Sequence, residues 1–193
     1  MLFPLLVLLP LLIALIVSAL VKSSMKLGYL AAGASVISFA MIFLLSPGTT
    51  AITWFTIGSN PIQITTTISQ FNIILLAIVF GIGALIHLYS VGYLETLSEQ
   101  KRFYVEMLAF EVAMATFAVS GNFILLFIAW EFLSLFSYLL IGFWHKRERA
   151  TRAARLAITT VLIGDVALLA AIVIFWHLFG TFEFATIIST MSG

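Results

Sequence analysis

Of the 193 residues, 63% are hydrophobic and only 9% charged, at a mean hydropathy of +1.21, which is too little polar surface to cover a water-soluble globule. The chain therefore reads as an all-α polytopic membrane protein, a transmembrane helix bundle in one membrane domain with no separate soluble part. A net charge of +1 argues against a nucleic-acid partner, and zero cysteines exclude disulfides, thiolate-held iron–sulfur clusters and thiol nucleophiles. Any electron transfer must then take place in another chain.

Hydropathy predicts six spans, at about 2–21, 28–46, 71–91, 103–119, 123–144 and 156–178. The first, "MLFPLLVLLPLLIALIVSAL", has no basic residue ahead of its apolar run and is too long for the core of a secretory signal, so it reads as a retained span. The connections are "VKSSMK", a longer stretch over 47–70, "GYLETLSEQKR", "SGN" and the basic loop "HKRERATRAAR". If that basic loop is cytoplasmic, six spans place the first and third connections on the same side and the N-terminus outside. All nine Lys and Arg, at 22, 26, 101, 102, 146, 147, 149, 152 and 155, then lie inside, as the positive-inside bias requires. The stretch 47–70 alternates β-branched and polar residues around Gly-Ser-Asn-Pro. It is either a short external hairpin or an irregular interfacial loop with Trp54 and Phe55 in the headgroup belt.

Four of the eight acids, Glu95, Glu99, Glu148 and Glu183, fall at loops or helix ends, which leaves Glu106, Glu111, Glu131 and Asp165 inside spans. An ionised group at a helix centre costs roughly 2.5–3.5 kcal/mol on insertion scales, so such residues face a bundle interior or a wet cavity and point to function. Glu106 lies four residues after Arg102, the spacing of a helical ion pair near the interface. Glu111 is deeper, with no cation within a helical turn and with Ala115 and Ala118 on its face; it is either functional or a protonated carboxyl bonded to a neighbouring helix. Glu131 stands near the centre of its span with Ser134 and Tyr138 at i+3 and i+7, a polar stripe facing protein or water. Burial disfavours its charge and a nearby cation would favour it, so moving the cation would switch its protonation, as a proton relay needs. Asp165 is alone among Val, Leu and Ile, and Gly164 beside it would let another helix approach, so its partner must come from a different span.

The three histidines, His87, His145 and His177, lie near span ends and read as amphipathic edge residues. No pair has ligand spacing, so no metal site is expected, and the sequence has no phosphate-binding lysine loop, dinucleotide glycine fingerprint or nucleophile elbow, so no cofactor is expected either.

"ALIHLYSVGYL" (84–94), "RFYVEMLAF" (102–110), "SGNFILLFIAWEFLSLFSYLLIGFW" (120–144), the basic loop and "VLIGDVALL" (161–169) follow one another in an order and spacing that resembles the antiporter-like subunit 5 (subunit L) family of respiratory complex I. The resemblance covers 70–180 and extends to subunits of Mrp antiporters and membrane-bound hydrogenases. It implies that Glu131 is the span-five carboxylate that pairs with a lysine on span seven, and that Asp165 is the acid of the Gly-Asp motif. It also implies proton translocation driven by redox chemistry in a separate arm, in a prokaryotic cytoplasmic membrane or an energy-transducing organelle membrane. Three departures stand out. Ser69 takes the place of an Asp, "VLI" at 161–163 that of Asn-Arg, and Glu106 and Glu111 fall at aromatic or apolar positions. Family members have about fourteen or more spans, whereas no lysine lies in any span here. The expected partners are therefore lipid and other membrane subunits, among them a chain that supplies further spans and the lysine. Sodium/proton exchange in an Mrp-type complex, a membrane-bound hydrogenase subunit and a purely structural membrane scaffold are the alternatives.

Overall fold

The computed structural model describes residues 3–21, 26–57, 60–94 and 100–192. Lys22, Glu95, Glu99 and the Gly58-Ser59 part of the expected turn lie outside the described residues. The elements run α1 (Phe3–Leu20), α2 (Lys26–Met41) with a 3-10 turn (Ile42–Leu44), β1 (Gly48–Ile57), β2 (Asn60–Ile68), α3 (Gln70–Tyr93), α4 (Gln100–Ala118), α5 (Phe123–Ile141), α6 (Glu148–Phe179) and α7 (Phe184–Ser192). Among the described residues four helices are long and apolar enough to cross a membrane, namely Lys26–Leu44, α3, α5 and α6. The apolar part of α1, Leu6–Leu20, is shorter, and α4 carries Lys101, Arg102, Glu106 and Glu111.

The contacts divide the chain into two compact units. One is Met1–Pro47 with Ile68–Ala118, and the other is Gly48–Thr67 with Val119–Gly193. In the first, α2 packs against α1, α3 and α4, and α4 also packs against α1 and α3. What permits this is the side-chain size on α2, whose buried positions are Leu27, Gly28, Ala31, Ala32, Ala34, Ser35 and Ser38. Small residues let helix backbones approach closely in lipid, where tight packing rather than a hydrophobic drive holds helices together. Ser38 Oγ donates to the Val7 carbonyl at 2.7 Å, tying α2 to α1. The start of α3 is capped by Ser69: its Oγ accepts from the Asn72 amide while the Asn72 side chain accepts from the Ser69 amide. Ser and Asp both serve as N-caps, which gives the Ser69 departure a local structural meaning. Asn72 Nδ2 also donates to the Ala118 carbonyl at 2.7 Å, joining the head of α3 to the last turn of α4.

In the second unit, 48–68 forms a two-stranded sheet of β1 beside β2, the strand alternative of the two expected. The segment before α5 is stitched to β2 by Thr67 N–H to the Val119 carbonyl (2.8 Å) and Gly121 N–H to the Thr65 carbonyl (2.7 Å). A Cβ on Gly121 would stand 2.7 Å from Thr67 Oγ1, so only glycine allows this approach. Asn122 caps α5, its side-chain oxygen accepting from the Leu125 amide at 2.9 Å. The Asn122 amide group donates to the Gln63 carbonyl at 2.7 Å and to Glu183 Oε1 at 2.8 Å, and Thr65 Oγ1 donates to the same Glu183 oxygen. One fully buried asparagine thus links β2, α5 and the approach to α7. α5 packs on α6.

The basic stretch differs from expectation. Residues 148–155 are not loop but the first two turns of α6, which begins at Glu148 rather than 156. Hydropathy misses these turns because they are charged, yet Glu, Arg and Ala are strong helix formers and Glu148 pairs with Arg152 at 2.7 Å one turn on. The helix stops at Gly180, whose φ of 66° is left-handed and suits a glycine.

Candidate functional site

In the second unit, α5 and α6 bring two of the expected acids together. Asp165 is buried, and its Oδ1 accepts a 2.6 Å hydrogen bond from Trp130 Nε1, so the partner on another span that the sequence demanded is an indole. Asp165 Oδ2 is buried and makes no hydrogen bond. Trp130 immediately precedes Glu131 on α5, and the two carboxyl groups are within electrostatic reach of each other. Glu131 is half-buried and lines a cavity of about 430 Å³ with Phe127, Ile128, Phe132, Ser134, Leu135 and Ile158. Ser134 lies on that face as expected, its hydroxyl donating back to the Trp130 carbonyl at 3.0 Å. Among the described residues no Lys, Arg or His forms an ion pair with Glu131.

No described residue approaches Gly164 closely. A Cβ there would meet nothing within 4 Å, so the Asp165 contact owes its closeness to the reach of Trp130 and not to a bare backbone at 164.

Glu111 belongs to the first unit, where its carboxyl meets side chains of two neighbouring helices. Glu111 Oε2 lies 3.0 Å from His87 Nε2 on α3 and accepts from Ser35 Oγ on α2 at 2.9 Å. Both side chains are closed off, His87 at 0% and Glu111 at 2% exposure. His87 is thus a core residue and not the edge residue its place near a span end implied. The signal that would have found it is that no basic residue lies within a helical turn of Glu111 on its own helix, so a basic partner had to come from another span. Glu106 is where its spacing put it: Arg102 Nε donates to Glu106 Oε1 at 2.6 Å.

A cavity of about 610 Å³ in the second unit is lined by Trp54, Phe55, Phe123, Phe127, Trp176, Phe182 and aliphatic neighbours. It holds no titratable group and has the character of a lipid-facing aromatic surface.

Two family profiles match the chain in succession. Residues 54–104 match the profile described as NADH-ubiquinone oxidoreductase (complex I), chain 5 N-terminus, and residues 120–193 match NADH:quinone oxidoreductase/Mrp antiporter, TM. NADH-quinone oxidoreductase subunit L of Mycobacterium tuberculosis is 34% identical over 133 residues, 69% of this chain and 21% of that protein. F(420)H(2) dehydrogenase subunit L of Methanosarcina mazei is 39% identical over 101 residues, 52% of this chain and 15% of that protein. The chain thus spans about a fifth of the length of these curated relatives. In fold it is similar to a chain of the Mrp complex from Dietzia sp., with a TM-score of 0.80 and 23% identity over 94% of this chain and 20% of that one. It is also similar to a chain of an archaeal membrane-bound sulfane sulfur reductase, with a TM-score of 0.75 and 18% identity over 93% of this chain and 28% of that one. The Glu131 and Asp165 neighbourhood lies wholly within the second matched segment, and the chain is an integral membrane protein that belongs to the family of antiporter-like subunits containing complex I chain 5, or subunit L.

Proposed function

We propose that the chain is a proton-translocating, antiporter-like membrane subunit, or part of one, of a complex I-type NADH:quinone oxidoreductase, with Glu131, Asp165 and Glu111 as its proton-transfer groups. The observation that carries this reading is a buried Asp165, held by Trp130 with one oxygen unbonded, within electrostatic reach of Glu131. A proton held by one of two neighbouring carboxyl groups can be passed to the other. A cation brought close to Glu131 then favours release, and its withdrawal favours uptake. That cation comes from a lysine on another membrane subunit or on further spans, since the described helices carry Lys and Arg only near their ends.

The reading includes six spans with the N-terminus outside and the basic connections cytoplasmic. The gathering of Lys and Arg in alternate connections supports it, and α6 fits it: 32 residues extend about 48 Å, beyond a hydrocarbon core of about 30 Å, which leaves room for the turns bearing Arg149, Arg152 and Arg155 among headgroups. The β1–β2 sheet then lies on the external face.

A second reading, a component of an Mrp-type sodium/proton antiporter, is favoured by the Mrp wording of the profile over 120–193 and uses the same carboxyl groups. Liposomes containing the complex that co-purifies with this chain separate the two. Proton movement on addition of electron donor, without sodium, is the expected result. Proton movement only against a sodium gradient would establish the second reading, and no proton movement in either condition would overturn both.

A further inference from the structure

We infer that His87 and Glu111 hold one exchangeable proton between them, forming a proton-binding site in the first unit that uses an imidazole as well as a carboxyl. The inference rests on the reading of Glu111 as a proton-transfer group and adds its partner, its route of exchange and its separateness from Glu131 and Asp165.

The geometry has three parts. The 3.0 Å separation of His87 Nε2 and Glu111 Oε2 admits one proton, which resides on either atom. Ser35 Oγ donates to the same carboxyl oxygen at 2.9 Å. Glu111 Oε1 and His87 Nδ1 are buried and make no hydrogen bond, so each partner has one free polar atom facing away from the shared proton. An unpaired buried polar group is costly, so each of these atoms is a place where a proton donor or acceptor can engage the pair. Gly83 supplies the space for Oε1, since a Cβ at that position would stand 2.6 Å from Glu111 Cδ.

Charge counting selects the occupied state. A neutral imidazole with an ionised carboxylate leaves one net negative charge in an apolar interior, and one added proton makes the pair neutral overall. Little else nearby can supply that balance. Among the described residues α1 has no titratable side chain, and on α2 only Lys26 and Tyr29 titrate, both exposed. On α3 the other titratable groups, Tyr89 and Tyr93, are exposed. On α4, Arg102 is engaged with Glu106, Lys101 lies in the first turn, and the Tyr104 ring sits 6.2 Å from the His87 ring. His87 is therefore the basic partner of Glu111.

Exchange follows from the two ring nitrogens. A proton arriving at Nδ1 makes an N–H bond there while the Nε2–H bond breaks and its proton forms an O–H bond with Glu111 Oε2. The imidazole is left neutral with its tautomer reversed, and one proton has moved from one side of the ring to the carboxyl.

The test is ¹⁵N-histidine magnetic resonance of the full chain in lipid nanodiscs across roughly pH 5 to 9. The chain has three histidines, so His145→Asn and His177→Asn assign the His87 signals. The expected result is a pH-dependent change in the His87 ring shifts between a neutral tautomer and a proton-sharing state, lost in Glu111→Gln, where His87 stays a single neutral tautomer. Should Glu111→Gln fail to fold, the unsubstituted chain decides alone: His87 shifts constant through that range overturn the inference. So does a Glu111→Gln spectrum that titrates as before. Glu131→Gln leaves the His87 titration in place, so failure here and failure of the α5–α6 reading are distinguishable.

Discussion

Glu131→Gln is expected to reduce proton translocation by the assembled complex roughly a hundredfold while leaving its assembly and thermal stability unchanged. The reason lies in what Glu131 does and does not touch. Its carboxyl lines the cavity beside Ser134 and Phe132, and no hydrogen bond in the described structure depends on it. An amide of the same shape therefore fits without loss, within about 0.5 kcal/mol, but cannot take up or release a proton. Asp165 gives a sharper comparison because it has a partner. Asp165→Asn keeps an oxygen to accept from Trp130 Nε1 and should lose translocation with α5–α6 packing intact. Asp165→Ala also leaves the indole N–H without that acceptor and should cost about 1–3 kcal/mol of stability in addition. Translocation at the unsubstituted rate in both Glu131→Gln and Asp165→Asn would leave the structural scaffold standing. The readouts are dye-reported acidification in proteoliposomes and the thermal midpoint of the purified complex.

The second large effect is on folding. Gly28→Leu is expected to prevent accumulation of the folded chain, and Gly28→Ala to lower its thermal midpoint. Any Cβ at this position collides with the Tyr104 hydroxyl and a Val91 methyl, both on buried side chains. Overpacking of this kind costs about 1–3 kcal/mol where neighbours can yield, and more where they cannot. Gly33, on the same helix, is the internal control: a Cβ there meets nothing within 4 Å, so Gly33→Ala should gain the roughly 0.5–1 kcal/mol that a helical glycine forfeits. Opposite signs for the two alanine substitutions, read as midpoints in detergent, would establish the α2 crossing. Equal effects would contradict it.

The helices near 3–20, 26–44, 70–93, 100–118 and 123–141 were legible because apolar runs of about twenty residues leave few alternatives in lipid. The eight-residue extension of α6 was not, since hydropathy is blind to a charged helix, and α7, at nine residues, is too short for the same window. Local pairs read well: Arg102 and Glu106 sit one turn apart and the sequence alone placed them. Partners across helices did not. That Asp165 needed a group from another span followed from its apolar neighbours, but Trp130 as that group did not, being 35 positions away. His87 was misread for the same reason: whether a residue near a span end faces lipid or core depends on helix rotation, which is set here by small residues on α2 and by Gly83. Gly164 shows the converse, a small residue whose neighbourhood is open.

The claim at the centre of this account is that the carboxyl beside Trp130 gains and loses a proton as the complex works. Infrared difference spectroscopy on the complex during turnover, with ¹³C-glutamate and Glu131→Gln to identify the band, measures this directly. The account predicts a protonated-carboxyl band that rises and falls with turnover and is absent from Glu131→Gln. A Glu131 carboxyl that stays in one protonation state throughout turnover would contradict it.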